Sequence, residues 1–389
     1  MELMPKAAPQ KSKLFFSFLR LGLTAFGGPA MVAYIRDLSV KRNQWLDEKA
    51  FKDGVALAQS LPGATAMQIA AYVGLRSRGI GGALLSYVGF GLPAFVLMLM
   101  LAAFYERSRN ISEIISLFNG LQVIVVAIVA NALYSFGKDA VKSYREGILS
   151  ALSAVLFWSG ISPFLVIIGA ALLAMVLYRD VEPIIPSTSH HENNGLMIKQ
   201  IALLVLILQA GIATLYFLNT NLFKLALMML RIDLFAFGGG FASLPLMLHE
   251  IVNVRGWMDY RTFMDGVALG QVTPGPIVIT ATFVGYLAYG FAGAIVATTA
   301  IFTPSFLMLI AVTPLFDRLK RSAHFSNATK GILASFVGLL FFVTVKFILN
   351  VTWDMMRVIL GLAALLALWK KTDVLYVVLI GAVISMIVL

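Results

Sequence analysis

The chain has 389 residues, of which 60% are hydrophobic and 13% are charged. Soluble domains contain roughly 45–50% apolar and about 25% charged residues, so a soluble globular protein is excluded. The mean hydropathy of +0.88 agrees with this. A membrane helix with its loop takes on the order of 30 residues, which leaves room for a dozen or so spans and for no large soluble domain. The sequence therefore predicts an all-α polytopic membrane protein.

The charge balance is positive, with 30 Lys and Arg against 19 Asp and Glu. These basic residues lie mostly in short loops, as in proteins oriented by an inside-negative membrane, so we do not expect nucleic-acid binding. The chain has no cysteine, which excludes disulfides and thiol catalysis. We find no phosphate-binding loop and no metal-ligand spacing, and His190 and His191 lie in a polar linker. We therefore expect no cofactor, no metal site and no enzyme.

Apolar runs follow one another along the chain, and several are short or interrupted. They cover residues 14–35, 53–74, 79–104, 111–134, 147–160, 161–178, 200–219, 221–247, 265–285, 290–316, 331–350, 353–369 and 372–389. The first run follows a basic lead and superficially resembles a signal peptide. We expect it to be retained, because Arg20 interrupts it and the same pattern recurs in the middle of the chain.

The sequence contains two copies of one unit. Residues 13–28 match residues 224–239 at nine of sixteen positions, and residues 51–63 match residues 263–275 at nine of thirteen. Apolar composition alone does not place matched Arg, Gln, Pro and Gly residues in the same order, so this is an internal repeat.

The repeat predicts three parts: an N-terminal repeat at 1–178, a polar linker with a connecting transmembrane helix at 179–219, and a C-terminal repeat at 220–389. About six membrane segments per repeat with one extra helix between them would insert the second repeat in inverted topology. Alternate counting places 18 Lys and Arg residues on the N-terminal side and 7 on the other, so we expect a cytoplasmic N-terminus. If the two broken runs of each repeat are re-entrant hairpins, the balance becomes 21 against 4.

Four Gly- and Pro-rich breaks interrupt apolar runs at matching positions of the two repeats. They are Gly27-Gly28-Pro29, Pro62-Gly63, Gly238-Gly239-Gly240 and Pro274-Gly275-Pro276. A helix broken in this way exposes N–H groups at the start of the following half-helix, and these groups attract an anion. The alternative is that the glycines allow close packing and the prolines only bend the helices. Two matched breaks per repeat favour binding, as in transporters with broken helices.

Two arginines are predicted to lie inside the apolar layer. Arg20 and Arg231 match each other and follow the matched Lys13 and Lys224, accessory candidates, by seven residues, which is about 10 Å of helix. A charge near the bilayer centre costs at least ~2.5–3.5 kcal/mol and needs a partner or a wet cavity. We favour bidentate coordination of a tetrahedral oxyanion over snorkelling to the interface. For Asp233, which has no acidic counterpart, we favour an ion pair with Arg231 over a titrating carboxylate.

Four further polar residues match between the repeats. Gln59 and Gln271 precede their Pro-Gly breaks by three residues, and each could hydrogen-bond an oxyanion or a neighbouring helix. Asp53 and Asp265 begin their apolar runs, and we favour a helix N-cap over proton transfer for both.

At these blocks the sequence resembles the chromate ion transporter family in its long, two-repeat form. The resemblance rests on the segment Ala25 to Pro29, the Trp45 loop, the segment Gln59 to Gly63, and their partners Ala236 to Gly240, Trp257 and Gln271 to Gly275. It implies two halves in opposite orientation, and export of chromate across the bacterial inner membrane with resistance as the result. Sulfate is implied as an analogue.

Two other functions stay open beside chromate export. One is a sulfate or other oxyanion importer or exchanger, and the other is an anion channel. The coupling ion, the number of complete spans and the oligomeric state, with a homodimer among the options, are also open.

Overall fold

The computed structural model describes residues 9–26, 28–178, 195–316, 319 and 322–388. The described helices of the first repeat are α1 Lys11–Thr24, α2 Gly28–Arg36, α3 Glu48–Ser60, α4 Thr65–Ser108, α5 Ser112–Ala140, α6 Tyr144–Trp158 and α7 Pro163–Leu177. The connecting helix is α8 Gly195–Leu218. Those of the second repeat are α9 Thr220–Phe235, α10 Gly240–Leu248, α11 Tyr260–Val272, α12 Thr280–Val312, α13 Ala323–Asn350, α14 Met355–Trp369 and α15 Val374–Val388.

The two repeats have the same order of elements. In each, a short helix, a break and a second short helix are followed by a π-helical turn, Asp37–Arg42 after α2 and His249–Val254 after α10. A third short helix and a second break follow, as the matched blocks predict. His190 and His191 of the predicted linker lie outside the described residues, and so does Gly27.

Five helical stretches of the described chain are long and apolar enough to cross a membrane. They are Thr65–Ser108, Ser112–Ala140, Lys199–Leu218, Ile277–Leu315 and Ala323–Asn350. Shorter apolar helices include α7, α14 and α15. The predicted all-α polytopic membrane protein is therefore confirmed.

Helix α4 folds back on itself near its start. Arg78 and Gly79 leave the helical conformation, with φ of +65° at Gly79. The Ser86 hydroxyl donates to the carbonyl of Ala70 at 2.7 Å, across the turn. Residues 65–77 and 80–108 therefore form an antiparallel hairpin, which agrees with the separate apolar runs 53–74 and 79–104.

Helix α12 repeats this hairpin in the second repeat. Its chain turns at Tyr289 and Gly290, where φ of Gly290 is +61°. The hydroxyls of Thr282 and Thr298 lie 2.7 Å apart on either side of the turn. Glycine is suited to both turns because a positive φ is strained for residues with a Cβ.

The chain also folds back at the first two breaks. Side chains of α1 and of the segment Tyr34 to Arg42 line the same groove. At the second break, Pro62-Gly63, a Cβ added to Gly54 of α3 would collide with the ring of Tyr72 of α4. Contacts across so short a break require antiparallel packing, so both broken runs of the first repeat have the geometry of re-entrant hairpins.

The described chain forms two compact units, and each contains segments of both repeats. Unit 1 comprises Met1–Leu99, Pro183–Gly240 and Thr273–Ser322, and unit 2 comprises Met100–Glu182, Phe241–Val272 and Ala323–Leu389. In unit 1, α9 packs along α12 and α8. In unit 2, α13 packs against α5, α6 and α7, while α14 and α15 pack against α5. Residues of all four breaks belong to unit 1.

The predicted helix caps are wrong. Asp53 lies exposed inside α3 and Asp265 lies buried inside α11. The caps are Asp47 and Asp259, whose Oδ1 atoms each accept a hydrogen bond of 2.7 Å from the backbone N–H three residues later. The first turn of each helix is polar. The helix and its cap therefore begin upstream of the position where the apolar run begins.

Asp265 has a structural role in unit 2. Its Oδ1 accepts a hydrogen bond from Gln122 Nε2 at 2.8 Å, and its Oδ2 accepts one from the Tyr105 hydroxyl at 2.8 Å. Both carboxylate oxygens are thus satisfied, and the residue ties α11 to α5 and to the end of α4.

Candidate functional site

The four breaks meet in two pairs, and each pair joins opposite repeats. The carbonyl of Ala25 accepts a hydrogen bond from the N–H of Gly275 at 3.0 Å, a crossing that we name junction A. The carbonyl of Ala236 accepts one from the N–H of Gly63 at 2.9 Å, which we name junction B. Ala25 corresponds to Ala236 and Gly63 to Gly275, so the two junctions are related by the repeat. Both lie in unit 1.

Glycine is required at the breaks by the backbone conformation. Gly63 and Gly275 have φ of +106° and +104°, and Gly238 and Gly239 have +97° and +93°. Residues with a Cβ rarely adopt such angles. Pro29 lies at the start of α2, where its missing N–H costs no helical hydrogen bond.

Within unit 1, the start of α4 and the start of the helical turn that leads into α12 lie beside Gly239 and Gly240 of the third break. A Cβ added to Gly239 would lie 3.4 Å from Thr65 Oγ1, which begins α4. A Cβ added to Gly240, which begins α10, would lie 3.0 Å from Ile277 Cγ2 at the start of the helical turn that leads into α12. The first four N–H groups of a helix have no partner within it, and its N-terminus carries a partial positive charge. This arrangement is suited to an anion.

Two of the break glycines are not the donors. The N–H groups of Gly63 and Gly275 are already donated to Ala236 and Ala25. The nearest other backbone donors of unit 1 belong to the first turn of α4, which starts at Thr65.

A buried polar cluster lies at junction B. Asp233 is fully buried, and its Oδ2 accepts a hydrogen bond from the backbone N–H of Ser305 at 2.7 Å. The Tyr87 hydroxyl donates to the carbonyl of Phe302 at 2.7 Å and lies 3.3 Å from Ser305 Oγ. Gln68 Nε2 donates to the carbonyl of Pro62 at 2.7 Å and so holds the break.

The predicted ion pair between Asp233 and Arg231 is wrong. Asp233 points into the core of unit 1, where its oxygens lie beside Ser305. Arg231 is exposed. Residues two apart on a helix do not face each other, which is why the pairing fails.

Arg20 lines a groove between α1 and the segment that follows the first break. The groove has a volume of about 330 Å³, and Tyr34, Asp37 and Arg42 contribute to its wall. Arg42 Nε and Asp37 Oδ2 form an ion pair at 2.6 Å, so the guanidinium of Arg20 adds to a wall with one carboxylate and one other cation. Its counterpart Arg231 is exposed on α9, and the accessory candidates Lys13 and Lys224 are exposed too.

The two predicted glutamines differ in their surroundings. Gln59 is exposed near the end of α3. Gln271 is half-buried near the end of α11, and its Nε2 is a buried donor without a hydrogen-bond partner among the described residues. A buried amide donor of this kind suits an oxyanion acceptor.

Sequence reasoning missed Gln68, Tyr87 and Ser305. Gln68 and Tyr87 are two of several polar residues in the mostly apolar helix α4, and Ser305 directly follows Pro304, a matched residue inside α12. A polar residue beside a proline at membrane depth is a usable signal, because proline disturbs the helical hydrogen bonds around it.

Comparison with known proteins agrees with this two-repeat arrangement. The family model described as Chromate transporter matches residues 12–175 and 223–386. An uncharacterized transporter of Methanocaldococcus jannaschii is 43% identical over 382 residues, which cover 98% of this chain and 95% of that protein. No solved structure matches the chain.

Two relatives are named as chromate transport proteins. The one of Cupriavidus metallidurans is 31% identical over 333 residues, covering 84% of this chain and 80% of that protein. The one of Pseudomonas aeruginosa is 29% identical over 398 residues, covering 96% and 91%. With both repeats matched by the family model, the chain belongs to the chromate transporter family.

Proposed function

We propose that the protein carries tetrahedral oxyanions across the membrane and exports chromate from the cytoplasm, which confers resistance. The observation that carries the proposal is the convergence of helical N-termini beside the crossed breaks of unit 1. Each N-terminus contributes roughly half a positive charge, so several together suit a dianion. The names of the relatives support chromate as the substrate. Sulfate has the same shape and charge and is the alternative substrate.

Site residues are proposed in two roles. The breaks shape the site, and the arginines and glutamines supply side-chain donors. The proposed set is Arg20, Gly27, Gly28, Pro29, Gln59, Pro62, Gly63, Arg231, Gly238, Gly239, Gln271, Pro274 and Gly275, with Lys13, Lys224 and Asp233 as accessory residues.

Export needs no second energy source in this proposal. A dianion that leaves a cell across about 100 mV gains about 4.6 kcal/mol, which sustains roughly a thousandfold gradient. The protein would lie in the inner membrane of a bacterium, and the Lys and Arg distribution supports a cytoplasmic N-terminus.

The test is flux into or out of liposomes that contain the purified protein. We expect saturable chromate flux that follows an imposed potential and that sulfate inhibits. Transport of sulfate but not of chromate would contradict the substrate, and unitary currents would indicate a channel. Absence of any oxyanion flux would contradict the function.

Replacement of the arginines tests the side-chain part of the site. We expect Arg20→Gln and Arg231→Gln each to abolish chromate transport, because a guanidinium gives charge-assisted, bidentate hydrogen bonds that an amide does not replace. Arg76→Gln is the matched control, since Arg76 is exposed beside the turn of the α4 hairpin. Normal flux in either site variant, with wild-type insertion, would remove that arginine from the site.

A further inference from the structure

Asp233, an accessory residue of the proposed site, brings to junction B a carboxylate rather than a donor for the anion. It is fully buried, and only its Oδ2 receives a hydrogen bond of good geometry, from Ser305 N at 2.7 Å. Its Oδ1 has no hydrogen-bond partner among the described residues. A Cβ added to Gly63 would lie 3.0 Å from this Oδ1 and 2.8 Å from Ser305 Oγ. The free oxygen therefore borders the break itself.

The groups that face Asp233 do not neutralise a negative charge. From α4 the titratable group is the Tyr87 hydroxyl, which is already donated to the Phe302 carbonyl. Helix α12 presents Ser305, and its residues from Thr280 to Val312 include no Asp, Glu, His, Lys or Arg. The only charged residue of α8, which also packs against α9, is Lys199 near its N-terminus. Among the described residues the carboxylate is compensated by little besides the hydrogen bond from Ser305, so it takes up a proton readily once a second negative charge approaches.

The position of Asp233 couples this proton to the anion. Gly63 immediately precedes Ala64 and Thr65, where α4 begins, so a dianion at that N-terminus would lie close to Oδ1. In a low dielectric, a bound dianion and a charged Asp233 carboxylate so close to each other would repel strongly. A protonated carboxyl removes the repulsion and adds an O–H donor for the anion. Gln68 Oε1, a second acceptor without a partner among the described residues, lies in the same cluster.

We propose that Asp233 takes up one proton when the oxyanion binds and releases it when the oxyanion leaves, so that proton and anion are carried together. This inference rests on the proposed oxyanion transport. In the step, Oδ1 accepts a proton from the aqueous phase that supplies the anion, and the carboxylate becomes a neutral carboxylic acid. Junction A has Gly22 and Ala94 at the positions of Asp233 and Ser305. One proton therefore accompanies each dianion and the carrier moves one net negative charge, so that at equal pH on both sides about 100 mV sustains roughly a fiftyfold gradient in place of the thousandfold gradient of an uncoupled dianion.

The charge carried per chromate tests the coupling. Liposomes with the full-length protein are held at one alkaline pH on both sides, where chromate is a dianion, and a potential is imposed. A potential of about 59 mV balances a tenfold gradient for one net charge and a hundredfold gradient for two. We expect the tenfold gradient for the wild type and the hundredfold gradient for Asp233→Asn. Asp53→Asn, an exposed carboxylate of unit 1, is the control and keeps the tenfold gradient.

Proton uptake gives a second readout that does not depend on flux. Chromate is added to the protein in weakly buffered detergent solution, and we expect uptake of one proton per bound anion in the wild type and in Asp233→Glu, and none in Asp233→Asn. If the wild-type protein carries two charges per chromate and takes up no proton, the coupling is overturned and oxyanion transport still stands. This outcome needs only the wild type, so it can be measured even if Asp233→Asn does not fold. A wild type that moves no oxyanion overturns the proposed function and the coupling with it.

Discussion

Junctions A and B have the same backbone arrangement and different side chains. At each, an alanine carbonyl of one repeat accepts the N–H of a break glycine of the other repeat, at 3.0 Å and 2.9 Å. At junction A the neighbouring residues are Gly22 and Ala94, and a Cβ on Gly22 would collide with the carbonyl of Phe90. At junction B the corresponding residues are Asp233 and Ser305, which hydrogen-bond to each other.

The difference shows that the repeat sets the backbone, while the side chains distinguish the two copies. The same crossing forms with Gly22 at junction A and with Asp233 at junction B. It depends on backbone groups and on the φ angles of Gly63 and Gly275, which are +106° and +104°. At junction B the carboxylate of Asp233 is held by a hydrogen bond from the backbone N–H of Ser305. Junction A is close-packed, whereas junction B has a polar centre.

The largest expected effect comes from Gly63→Ala at junction B. We expect a loss of about 3–5 kcal/mol in the free energy of unfolding, because the new Cβ adds backbone strain and overpacking against Ser305. Thermal unfolding in detergent measures it. Gly79→Ala is the control: φ is also positive there, with no atom within 4 Å of the added Cβ, so we expect a loss of about 1–2 kcal/mol. Equal losses would contradict a steric role for Ser305.

Gly275→Ala at junction A is expected to have a smaller effect. The backbone strain is the same, but the new Cβ would lie 3.0 Å from the Cβ of Ala94, which shifts of a few tenths of an ångström relieve. We expect a loss of about 2 kcal/mol. Adding Ala94→Gly should restore the steric part of the loss in the same unfolding measurement. Ala94→Gly alone measures the cost of a glycine inside α4, and if the losses of the two single variants simply add in the double variant, the contact is not the cause.

The smallest effect, and an equal one in both repeats, is expected from the helix caps. Asp47→Ala and Asp259→Ala each remove a hydrogen bond of 2.7 Å to a first-turn N–H, and we expect about 1 kcal/mol from each. Asp53→Ala, at the position first predicted as a cap, should change the unfolding free energy by less than about 0.5 kcal/mol. A larger effect of Asp53→Ala than of Asp47→Ala would reverse the assignment.

Much of the architecture was predictable from residues alone. Hydropathy predicted the membrane class, and the matched blocks predicted the repeats and all four breaks. These features are local, because a membrane helix needs a long apolar run and a break needs Gly or Pro. The predicted cap positions were wrong for the same reason, since hydropathy marks where a run becomes apolar, whereas Asp47 precedes a polar first turn.

The sequence by itself determined that Gly63 and Gly275 would be matched, that Arg20 and Arg231 would be equivalent, and that Asp233 had no acidic counterpart. Only the tertiary structure decided that Gly63 meets Ala236 and that Gly275 meets Ala25. It also decided that Asp233 faces Ser305 rather than Arg231. These partners are separated by 72 to 250 residues, and no local pattern encodes such a separation. The pairing is set by which backbone groups need a hydrogen-bond partner once the helices are packed in an apolar environment.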